Sequence, residues 1–187
     1  MKPITALLSI LFALVWLTAC GPTAVDQSYL PHEVATMLAD QDGAYVILTL
    51  ATTLDASLAQ QFEEAGILLF DPLGDNRFQA YLPAAAVPAL TTLHNDAAVV
   101  AVDPIDPAGK IKGTFADRQE PYAIVVHFYT APSDAETAVL ANQMQIDKTA
   151  VGPMNFVEGK ATRSQIREIA TLPFVKGIEE AVLSSGG

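Results

Sequence analysis

The apolar positions of this chain change period several times, and the same order of changes occurs twice. "YVILTL", Tyr45 to Leu50, is a short strand-like run bounded by polar residues. "DASLAQQFEEAG" follows, with Leu58, Phe62 and Ala65 on one helical stripe that Gly66 ends. "ILLFDPLGDNRFQAYLP" predicts two strands around a turn-rich stretch from Asp71 to Asn76, with Phe78, Ala80 and Leu82 alternating against Gln79 and Tyr81. Val87, Leu90 and Leu93 return to helical spacing, and Val99-x-x-Val102-Asp103 closes on a strand. The predicted order over residues 44–106 is βαββαβ.

Residues 107–121, within "PIDPAGKIKGTFADRQEP", are rich in Pro, Gly and charge and read as a linker. The order then restarts over 122–187. "YAIVVHFY", Tyr122 to Tyr129, is a strand; Ser133 and Glu136 make a capping box before a helix whose Thr137, Leu140, Ala141 and Met144 share a face. Strands are expected near Gln145–Val151 and Asn155–Glu158. Thr162 and Gln165 form a second capping box, and Ile166, Ile169, Ala170 and Pro173 keep helical spacing before "VKGIEE". Tyr45 is aligned with Tyr122, Asn76 with Asn155, Val87 with Ile166, Leu90 with Ile169 and Leu93 with Leu172. The expected fold class is α+β: two tandem ferredoxin-like βαββαβ modules, with antiparallel sheets and helices on one face. Modules of about 60 to 65 residues are marginal alone. The first strand of each is apolar at both parities, so its second face calls for cover from the other module or from a partner.

The N-terminus changes the picture. In "MKPITALLSILFALVWLTACG" a single basic residue, Lys2, precedes an uncharged apolar run from Ile4 to Ala19. That run is short of the roughly 20 apolar residues of a membrane span and reads as an export signal over 1–19. Leu17-Thr18-Ala19-Cys20 resembles the bacterial lipobox, in which the cysteine thiol is alkylated by a diacylglyceryl group before cleavage in front of it. Cys20 is therefore the expected lipidation site, and the expected location is the bacterial cell envelope, held to a membrane by the anchor. Inner against outer membrane stays open. Residues 20–43 are expected to be a tether, with a short helix opened by Pro31 and carrying Val34 and Leu38.

Charge and chemistry narrow the function. The net charge is −11, and loss of Lys2 leaves nine basic against 21 acidic residues, which disfavours nucleic acid as a partner. The one cysteine excludes an intramolecular disulfide and a thiolate metal cluster. His32, His94 and His127 form no i, i+4 pair, so no metal site is expected. No Gly-x-Ser-x-Gly elbow is present, and Gly66, Gly74 and Gly159 read as isolated turn glycines. Glu63-Glu64 and Glu179-Glu180 point apart as neighbours in sequence. No catalytic residue and no cofactor is expected, and the chain is read as not an enzyme.

"AYVILTL…LAQQFEEAGILLFDPLGDNRFQAYLPAAAVPALTTL…VVAVDP" resembles the subtilase propeptide and peptidase-inhibitor family, of the prodomain type found in fervidolysin-like proteases. "YAIVVHFY…IREIATLPFVKGIEEA" is similar to a more diverged copy, so the resemblance spans about Ala44 to Ala181. It implies a domain that docks the open face of its sheet on a subtilisin-like serine protease and sends its C-terminal segment through the cleft. Ala181, Val182, Leu183, Ser184 and Ser185 would then be the protease-contact residues, although a frayed terminus is the alternative for this tail. No Asp-Ser/Thr-Gly, His-Gly-Thr or Gly-Thr-Ser-Met segment of such a protease is present. The expectation is a membrane-tethered inhibitor or intermolecular chaperone of a subtilisin-like protease. The alternatives are an interaction module of an envelope complex and a small-ligand sensor.

Overall fold

The computed structural model describes residues 28–113, 115, 119–150 and 155–181. Among them are five α-helices and two sheets, an α+β fold in which antiparallel pairing dominates. The first unit runs α1 (His32–Asp40), β1 (Gly43–Leu50), α2 (Ala56–Glu64), β2 (Leu68–Gly74), β3 (Arg77–Pro83), α3 (Val87–Asn95) and β4 (Val99–Pro104). Its strand order is β2-β3-β1-β4. The second runs β5 (Ile111–Lys112), β6 (Tyr122–Phe128), α4 (Asp134–Ala141), β7 (Gln145–Ala150), β8 (Phe156–Ala161), α5 (Arg163–Thr171) and β9 (Val175–Glu180), in the order β5-β9-β6-β8-β7.

Local chemistry sets the helix starts. The Asp55 carboxylate accepts from the Leu58 N–H at 2.8 Å, and both Ser133–Glu136 and Thr162–Gln165 close as capping boxes. Between β2 and β3 the turn is only Asp75–Asn76, each with positive φ, as a tight hairpin demands. The turn-rich stretch expected from Asp71 is therefore mostly strand. Pro72 is tolerated there because β2 lies at the sheet's edge, where a missing N–H breaks no ladder.

Each sheet buries one face under its helices. In the first unit Val46, Leu48, Ala80 and Leu82 meet Leu58 and Phe62 of α2 and Val87, Leu90 and Leu93 of α3. In the second, Ile124, Val126 and Val157 meet Leu140 and Met144 together with Ile166 and Ile169 of α5. The registers of the two central strands correspond. Val46 lies opposite Ala80 and Ile124 opposite Gly159; both central strands carry an irregularity at the same place, Thr49/Leu50 and His127/Phe128.

This register corrects the alignment of Tyr45 with Tyr122. Tyr122 corresponds to Ala44: it sits opposite Ala161 as Ala44 sits opposite Leu82, and both are buried. A shift of one residue exchanges the faces of a strand, so Tyr45 lies on the helix-free face and Tyr122 in the core. The Tyr122 hydroxyl there accepts from Arg163 Nη2 at 3.2 Å.

The described part of the tether carries the expected short helix, α1, and both it and the described part of the linker pack onto the cores. Leu30, Val34 and Leu38 belong to the first core, and the Tyr29 ring stacks on His94 with centroids 4.4 Å apart. In the stretch 107–121, β5 pairs in parallel with β9, Lys110 is buried, and Phe115 enters the second core. Gly159 is likewise no turn glycine but the middle of β8, where a Cβ would collide with the Gln145 carbonyl and the Met144 methyl. Ala80, its counterpart in the first unit, shows the same demand for a small side chain.

Candidate functional site

One concave feature lies on the helix-free face of the second sheet. Alternation along β6 puts Ala123, Val125 and His127 there, half-buried, while Ile124 and Val126 go to the core. Glu158 from β8 and Glu179 from β9 flank Val125; Phe156 and Gly177 flank His127. With Lys112, Lys176 and Asp71 of the first unit at its rim, this face forms a groove of about 640 Å³.

His127 Nε2 and Glu179 Oε1 meet at 2.8 Å across β6 and β9. The imidazole N–H donates to the carboxylate, and each side chain is more than a third exposed. No Ser, Thr or Cys is among the described residues lining the groove. Nor do three His, Cys, Asp or Glu side chains gather at metal-ligand spacing anywhere among the described residues. The pairing was invisible in sequence because the partners lie 52 positions apart and only the β6–β9 register joins them. The shared parity of Val125 and His127 was the available signal.

A second feature joins the two units. Tyr129, just past β6, stacks on Tyr45 with centroids 4.3 Å apart and planes at 13°, and Phe70 lies 5.0 Å from it. Tyr129 is buried yet belongs to neither apolar core. Its hydroxyl has no hydrogen-bond partner among the described residues, and burial, then Tyr45 and Asp71, push its ionisation well above the usual tyrosine range. Burial likewise raises the Tyr45 phenol. Beside the rings, Lys176 pairs with Asp71, an exposed ion pair of the kind that contributes about 0–1 kcal/mol. Lys110 is 5 % exposed; burial lowers its ammonium to about 8, and its Nζ donates to the Leu172 carbonyl at 2.9 Å.

Of the expected lipidation and protease-contact positions, Ala181 alone lies among the described residues. Its N–H donates to the Ala123 carbonyl at 2.9 Å, so the chain is still held against β6 at that point. Cys20, Val182, Leu183, Ser184 and Ser185 lie outside the described residues. His94 Nδ1 is engaged with the Val99 carbonyl at 3.0 Å. No described helix is long and apolar enough to cross a membrane. No family model, no curated protein and no solved structure matches the chain.

Proposed function

We propose that this chain is a non-catalytic, protein-binding lipoprotein, tethered to a membrane of the bacterial cell envelope through Cys20, that acts as an inhibitor or intermolecular chaperone of a subtilisin-like serine protease. Its architecture is two tandem ferredoxin-like βαββαβ units over 44–106 and 122–187, the first extended by α1 and the second by β5. The matching strand orders, registers and irregularities support the duplication.

The observation that carries the binding reading is the helix-free face of the second sheet. It is half-buried, carries Val125 and Phe156 among charged neighbours, and is hollowed into the groove of about 640 Å³. A sheet face left open in this way is suited to receive the surface of another protein, with apolar contact inside and charge at the rim. The segment after Ala181 would run on from β9 into the partner's cleft.

The test is inhibition of a panel of subtilisin-like proteases by the soluble chain lacking residues 1–20, intact and truncated after Glu180, with thermal melts establishing that both are folded. Inhibition lost on truncation supports the tail; equal inhibition by both assigns binding to the sheet face. Absence of inhibition by either overturns the protease reading in favour of an interaction module of an envelope complex. A small-ligand sensor is favoured by one observation, a cavity of about 260 Å³ between the units lined by Lys112, Lys176, Asp71 and Gln79. Thermal shifts with a panel of small carboxylates and amines address it.

A further inference from the structure

The helix-free face of the first sheet already has an occupant, and the occupant belongs to the same chain. Register places Tyr45, Ile47, Gln79 and Tyr81 on that face, with Leu68 beside Tyr81 at its edge. Tyr129 of the second unit lies on Tyr45, within ring contact of Phe70. Lys176 reaches Asp71 next to the rings. An aromatic ring and a cation, both supplied by the second unit, thus fill a site on the first.

The contact is fused into neither core. The two apolar cores remain separate clusters, with Tyr129 in neither. The cavity of about 260 Å³ between Ile47, Leu73 and Ile105 on one side and Lys112 and Lys176 on the other leaves the junction loosely filled. Small, partly polar contacts between units of one chain permit relative motion, whereas a merged core does not.

We propose that the second unit is an intramolecular cover over a docking surface on the first sheet, and that this surface receives a partner protein presenting the same pair, an aromatic ring beside a lysine or arginine. The occupant defines the partner's chemistry. The ring stacks on Tyr45 and Phe70, where offset and tilted aromatic pairs are favourable, and the cation takes the place of Lys176 on Asp71. A chain with a net charge of −11 also draws a cationic surface towards it. Partner and cover compete for one site, so docking requires the units to separate. This surface meets the groove on the second sheet at Asp71 and Lys176 but lies on the other sheet, and it does not depend on the protease reading.

Hydroxyl-radical footprinting of the soluble chain tests the proposal. In the Tyr129→Ala variant, Tyr45 and Phe70 are expected to label several-fold faster than in the native chain, while core Phe62 labels at an unchanged rate and reports that the fold is intact. An acetylated, amidated hexapeptide carrying adjacent Tyr and Lys, at millimolar concentration, should protect Tyr45 in the variant and leave the native pattern unaltered; a Ser-Lys control peptide should protect neither. Should Tyr129→Ala unfold, Asp71→Lys places a second cation against Lys176 at an exposed position and must raise Tyr45 labelling in the same direction. Unchanged labelling in the folded variants overturns the cover. Faster labelling without protection by the Tyr-Lys peptide beyond the control overturns the docking surface.

Discussion

Lys110 Nζ donates to the carbonyl oxygen of Leu172 at 2.9 Å, at the C-terminal end of α5. A cation there meets the negative end of the helix at a carbonyl that also accepts from the Val175 N–H at 3.2 Å, which draws the 107–110 turn onto the second unit. Burial nonetheless disfavours the charged amine, lowering it from 10.5 to about 8. Between those values the unfolded chain holds more protons than the folded one, so stability rises with pH. The contribution is present above pH 10.5 and lost as pH falls through about 8, a change of about 3 kcal/mol. Denaturant melts of the native chain and Lys110→Met between pH 7.5 and 10 should show the native chain gaining on the variant as pH rises. A pH-independent difference would contradict the burial cost assigned to this amine.

Gly159→Ala should destabilise by about 1–3 kcal/mol, because the added methyl meets the Gln145 backbone and the Met144 side chain. Replacing Met144 by a smaller residue in the same chain should recover only the side-chain part of the loss. Urea melts of the single and double variants separate the two. An Ala variant as stable as the native chain would remove the close β7–β8 approach.

Tyr129→Phe should leave stability unchanged or raise it by about 1 kcal/mol, since a buried hydroxyl without a partner costs about 1–3 kcal/mol and the ring contacts are kept. A loss greater than 1 kcal/mol in thermal or urea melts would mean that the hydroxyl has a partner beyond the described residues.

Leu90→Ala and Ile169→Ala remove corresponding side chains, each fully buried in its own core, and should each cost about 2–5 kcal/mol. Because the clusters are separate, the double variant should show the two losses as nearly additive. Strong coupling between them would contradict two independent cores.

On the proposed lipoprotein reading, Cys20→Ser should leave the chain unacylated, soluble or retained as uncleaved precursor, because the serine hydroxyl is not alkylated. Detergent partitioning and intact mass decide it. Membrane retention with an acylated mass would end the lipoprotein reading.

The residues of the sequence determined by themselves where the capped helices start and which side chains form their buried stripes, although Met144 and Pro173, read as continuing them, lie beyond the ends of α4 and α5. The Ser133–Glu136 and Thr162–Gln165 boxes close within three residues, and the stripes through Leu58, Phe62, Leu90 and Ile169 repeat within two turns, so no distant contact is needed to read them. Tertiary structure alone decided which face of β1 Tyr45 occupies, since its neighbours Ala44 and Val46 are also apolar and parity cannot choose between them; pairing with β3 does. It also decided that 28–40, 107–113 and Phe115 are packed: a two-residue strand such as Ile111–Lys112 has no period of its own and exists only because β9 offers a free edge. His127 with Glu179 and Tyr45 with Tyr129 belong to the same class. Contacts across dozens of residues are fixed by strand register and by the closure of one unit on the other, and neither is encoded in any short window of the chain.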